Sequence, residues 1–157
     1  MHPIANSRLE MENDLRYAIK RGELISYYQP QINDDGEMIG AEALLRWRHR
    51  KIGFISPTDF IPLAEEAGLI LPIGYWVLED VCRQIKKWEH KHQLQHVAVN
   101  ISSIQFKYSG FVETIKEILA KTQINPKKLM LELTEGILVE VGQVDAVINK
   151  MRTIKNL

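Results

Sequence analysis

Stretches with apolar residues at every second position alternate along this chain with stretches at helical spacing. That alternation constrains the fold more than any single motif. Residues 24–32 and 38–47 read as two strands joined by a turn at Asp34-Asp35-Gly36. Two strands joined by a short turn form a hairpin, so this pair is predicted antiparallel. Pro30 cannot donate to a ladder and belongs on an edge strand or at a strand end. Thereafter the order is helix at 57–68 and 73–91, strand at 96–101, helix at 111–121, strand at 128–135 and helix at 144–155. Strands separated by helices of this length predict parallel pairing with helices covering the sheet, an α/β fold.

The helices carry the apolar stripes that such a fold needs. A lead-in helix at 7–21 opens on the capping-box sequence Ser7-Arg8-Leu9-Glu10, puts Met11, Leu15, Ala18 and Ile19 on one face, and stops at Gly22. In the helix at 73–91 the stripe is Leu78, Val81, Cys82, Ile85 and Trp88. Cys82 lies on that stripe and reads as packing. A single cysteine excludes an internal disulfide framework and suits a reducing, cytoplasmic setting. Residues 1–24 hold no apolar core of a signal peptide, and the most apolar stretch, 68–78, is broken by Pro72 and too short to span a bilayer. Lys+Arg and Asp+Glu number 20 each, so overall charge points neither to nucleic acid nor to an anionic membrane surface.

Chemistry concentrates in residues 40–47, Gly-Ala-Glu-Ala-Leu-Leu-Arg-Trp. On a strand Glu42, Leu44 and Arg46 share one face, and Ala43, Leu45 and Trp47 the other. A carboxylate among Ala and Leu needs a metal or a cation as partner; a Glu42–Arg46 pair at a solvent-exposed strand end would also suffice. Two other strands each place one oxygen ligand in a similar setting, Asn100 and Glu132. All three lie toward the C-terminal ends of their strands, where α/β barrels carry their sites. Two carboxylates and an amide oxygen suit Mg²⁺, Mn²⁺ or Ca²⁺. His90, His92 and His96 cluster at a helix end without zinc spacing and read as solvated surface. Glu135, three residues past Glu132, faces the opposite side and suits loop anchoring better than direct metal contact, or simply begins a loop in solvent.

Several stretches resemble the EAL domain family of bacterial cyclic di-GMP phosphodiesterases. They are Tyr28-Gln29-Pro30, the stretch 40–47 with Glu42-Ala43-Leu44 itself, Ile55-Ser56-Pro57 with residues 60–65, Gly68-Leu69-Ile70, Val99-Asn100-Ile101-Ser102 and residues 131–135, in the family's order. The resemblance implies a TIM-barrel-like fold with an antiparallel first strand. It also implies Mg²⁺- or Mn²⁺-dependent hydrolysis of cyclic di-GMP to the linear dinucleotide. By the family pattern Glu42, Asn100 and Glu132 are metal ligands, Gln29, Leu44 and Arg46 line the nucleotide site, and Glu135 anchors a loop.

The family pattern continues with a strand bearing Asp-Asp-Phe-Gly-Thr-Gly, then a lysine and a general-base glutamate, none of which lies within these 157 residues. Arg50 also stands where the family usually has proline. The expectation is one partial EAL domain over residues 1–157, holding about the first four barrel strands, with no hydrolysis by the polypeptide alone, weakly bound or absent metal, and self-association through an open half-barrel. The alternative is a non-catalytic EAL module that binds nucleotide or a protein partner.

Overall fold

The computed structural model describes residues 3–91, 93–133, 149–150 and 152–154. Its elements are α1 (Pro3–Ala18), β1 (Leu24–Ile32), β2 (Met38–His49), β3 (Gly53–Ile55), α2 (Pro57–Glu66), α3 (Ile70–Trp88), β4 (His96–Ile101), α4 (Ser103–Lys107), α5 (Phe111–Thr122) and β5 (Leu129–Leu133). A 3-10 turn, Pro126–Lys128, leads into β5.

One sheet runs in the order β1-β2-β4-β5, with β3 pairing the far end of β2. The β1–β2 hairpin is antiparallel, and its register sets Gln29 opposite Glu42 and Tyr27 opposite Leu44. The β2–β4 and β4–β5 pairings are parallel. The architecture is therefore the expected α/β one, an antiparallel first strand beside parallel neighbours. Among the described residues β1 pairs along one side only, so Pro30 lies on an edge strand, where proline is tolerated. In the hairpin turn the Asn33 side-chain oxygen accepts from the Asp35 and Glu37 amides, and Gly36 adopts φ +81°.

The strands divide their residues between two faces. Ala43 and Trp47 on β2 and Val97, Val99 and Ile101 on β4 are buried in the core with Val81, Cys82 and Ile85 of α3 and Phe111, Ile115 and Ile118 of α5. Cys82 is fully buried, and desolvation pushes its thiol up to about 12, in keeping with packing. The opposite sheet face carries Glu42, Leu44, Arg46, Asn100, Met130 and Glu132, all at least partly open to solvent.

Helix starts differ from the sequence expectation. α1 begins at Pro3, so Ser7 lies inside the helix rather than capping it; proline is favoured in a first turn, where the N–H has no partner to lose. α3 begins at Ile70 instead of residue 73, with Pro72 in its first turn for the same reason. The pattern predicts neither β3 nor α4; α4 follows a Ser102 N-cap that accepts from the Gln105 amide at 3.1 Å. Residues 149–150 and 152–154 are helical, within the helix expected at 144–155; the rest of that helix lies outside the described residues, as do Glu135 and His92.

Candidate functional site

β2 pairs with β4 only over Gly40–Ala43 before continuing beside β1 and β3. Glu42 therefore sits near the end of the parallel-paired section, although it is early in β2 itself. Asn100 is second from last in β4 and lies directly across from Glu132 of β5. The three side chains meet on the open sheet face. Asn100 Nδ2 donates to Glu42 Oε1 at 3.0 Å. Burial, and then the charge and hydrogen bond of Glu42, push the Glu132 carboxyl above its ordinary range.

Two carboxyls held close together, with an amide beside them, form a hard-oxygen donor set. Its chemistry fits a divalent cation, which would offset both the burial of Glu132 and the charge of Glu42 beside it. Among the described residues no group of three or more His, Cys, Asp or Glu side chains is arranged to hold a metal, so the amide is needed to complete this set. His96 Nε2 lies 2.7 Å from Gln31 Oε1.

The predicted nucleotide-site residues lie on the same face. Gln29 is exposed opposite Glu42, and Leu44 is half-buried opposite Tyr27. Arg46 Nη1 donates to its neighbour's carbonyl, Leu45 O, at 3.0 Å, and its guanidinium carbon lies 5.7 Å from the Tyr27 ring centre. Beside them an open groove is lined by Tyr27, Arg46, Phe54, Ile55, Ser56 and Pro57. Phe54 belongs to the three-residue β3, too short to show a period, so the sequence reading passed over it.

A helix-covered sheet with oxygen donors grouped at the ends of parallel strands defines a TIM-barrel-like α/β domain. The chain belongs to the EAL domain family, whose model matches residues 12–155. It is 43% identical over 138 residues to the bifunctional diguanylate cyclase/cyclic di-GMP phosphodiesterase MucR of Pseudomonas aeruginosa, covering 87% of this chain and 20% of MucR. It is 41% identical over 132 residues to the cyclic di-GMP phosphodiesterase PdeR of Escherichia coli, covering 84% of this chain and 20% of PdeR. Among solved structures, the PaMucR phosphodiesterase in complex with c-di-GMP superposes with a TM-score of 0.88 at 39% identity, covering 94% of this chain and 60% of that one. The chain thus spans about a fifth of the length of these two curated relatives. Among the described residues no helix is long and apolar enough to cross a membrane.

Proposed function

We propose that this chain supplies the first metal-binding and nucleotide-binding elements of a cytoplasmic cyclic di-GMP phosphodiesterase domain. The observation that carries the reading is the meeting of Glu42, Asn100 and Glu132 on one open sheet face. These residues would hold Mg²⁺ or Mn²⁺, with Asn100 turning its amide oxygen to the ion. Bound divalent ions supply the Lewis acidity that activates water and stabilises charge on a phosphate. Arg46 grips a phosphate oxygen through its guanidinium. Gln29 hydrogen-bonds the nucleotide, Leu44 gives it an apolar wall, and Glu135 takes the loop-anchoring role of the family pattern.

The polypeptide alone brings only part of this constellation together, and catalysis depends on all of it being positioned at once. Purified chain with Mg²⁺ or Mn²⁺ is expected to release no linear dinucleotide from cyclic di-GMP above a protein-free control. A chimera tests the assignment directly. Residues 12–155 replace the matching segment of the MucR phosphodiesterase domain, which supplies the remainder. Hydrolysis by the chimera, lost in Glu42→Gln and Glu132→Gln, is the expected result. A folded chimera that binds cyclic di-GMP without hydrolysing it would favour the non-catalytic module instead.

A further inference from the structure

The groove beside Arg46 contains two aromatic side chains that the family motifs leave without a role. Tyr27 is 46% exposed and Phe54 55% exposed. They come from different strands, β1 and β3, on either side of β2. Their rings meet edge to face, with centroids 6.0 Å apart and planes at 65°. Exposed aromatics lose favourable burial, so a pair held open at a cleft calls for an occupant. The Arg46 guanidinium lies over Tyr27, which limits the space its long side chain explores. Arg48 stands opposite Phe54 in the β2–β3 register and is exposed. None of the six groove-lining side chains is acidic.

A flat apolar surface next to a held guanidinium, with a second arginine close by, is complementary to one chemical class. It matches a nucleotide, whose base is flat and aromatic and whose phosphate is anionic. Alkyl or peptide ligands would use the apolar surface but leave the cations unmatched; free phosphate would use the cations but leave the rings bare. We propose that Phe54 is the stacking platform for a purine base of the nucleotide, and that Tyr27 is a positioning residue that aims Arg46 at the adjoining phosphate. This rests on the proposed nucleotide-phosphodiester reading and names the residues that select the base within it.

The two roles separate in a binding experiment on the 157-residue chain. Saturation-transfer NMR with millimolar guanosine 5′-monophosphate, ribose 5-phosphate and cyclic di-GMP reads weak binding and the ligand protons in contact. In the wild type, guanosine 5′-monophosphate should bind about tenfold more tightly than ribose 5-phosphate, with the guanine H8 saturated, as expected for one base–aromatic stack. Phe54→Ala should remove that advantage and the H8 contact while leaving ribose 5-phosphate unchanged, and Phe54→Trp should restore both. Tyr27→Leu should weaken both monophosphates by a similar factor. Phe54 is a surface residue, and an unchanged amide spectrum confirms that its variants fold. Equal affinity for the two monophosphates in the wild type, no binding of either, or no effect of Phe54→Ala overturns the platform. If cyclic di-GMP still binds in an Arg46-dependent way, the phosphodiester reading survives that result. If guanosine 5′-monophosphate stacks on Phe54 while cyclic di-GMP fails to compete, the platform stands and the cyclic di-GMP reading falls.

Discussion

Asp14 of α1 and His49 at the end of β2 meet where the lead-in helix touches the sheet. His49 is almost fully buried, and its Nδ1 accepts from the backbone amides of Lys51 and Ile52. That leaves the proton on Nε2, which donates to Asp14 Oδ2 at 2.8 Å. Next to it Trp47 Nε1 donates to the buried Glu23 at 2.9 Å, so two polar contacts brace the strand that carries Glu42 and Arg46. The His49 hydrogen bond, helped by Arg21, holds the Asp14 carboxyl below its ordinary range, against a smaller opposing effect of burial. Because folding lowers this pKa, the stability it contributes is complete above the unfolded value, near 3.9. It is lost as pH falls through the folded value. Asp14→Asn is therefore expected to cost about 1 kcal/mol at pH 7, and the gap should close below about pH 4. Urea midpoints of both proteins across that range test this; a gap that stays constant with pH would refute it.

At the scale of elements, β2 is the hub: it pairs with β1 along most of its length, with β4 over Gly40–Ala43 and with β3 at its far end. Gly40 stands opposite His96 of β4. A Cβ there would lie 2.9 Å from both the carbonyl oxygen and Nε2 of His96, and 3.1 Å from Gln31 Oε1. The side chains can swing away, but the His96 carbonyl belongs to the neighbouring strand and cannot. Gly40→Ala is expected to push β2 and β4 apart at a cost of about 1–3 kcal/mol, the usual range for overpacking. Glu42 is two residues along on the same strand, so its contact with Asn100 should loosen as well. Thermal denaturation reads the first effect. Mn²⁺ affinity, measured by the ion's paramagnetic resonance, reads the second and should fall more in Gly40→Ala than in an equally destabilised core variant.

At the scale of the molecule, the helices among the described residues cover one face of the sheet and leave the other open. Met130 is 42% exposed on that open face, beside Leu44 and the acidic pair. Among the described residues β1 and β5 each pair along one side only. Unpaired strand edges next to exposed apolar groups invite a further strand. The isolated polypeptide is expected to self-associate, either through β5 or by packing two open faces together, and a symmetric dimer is the commonest closed outcome. Sedimentation equilibrium at micromolar concentration should show a species heavier than the 18.2 kDa chain; a well-folded monomer would overturn the expectation.

Local pattern was enough to predict the hairpin, the parallel strands after it and the buried stripe around Cys82, because burial imposes a period on side chains that sequence preserves. The strand limits at 24–32 and 96–101 match the observed ones for that reason. β3 and α4 escaped notice because three and five residues are too few to establish a period. The early start of α1 escaped because Ser7-Arg8-Leu9-Glu10 has the form of a capping box, and that of α3 because Pro72, which breaks the apolar run, is tolerated in a first turn. Composition of the strands also singled out Glu42, Asn100 and Glu132, since oxygen ligands amid small and apolar residues need a reason to be there. That the three meet, that burial and Glu42 together raise the Glu132 pKa, and that Phe54 stands beside Tyr27 and Arg46 depend on the register between strands. Strand register follows from how whole elements pack together, and only the tertiary structure decides it.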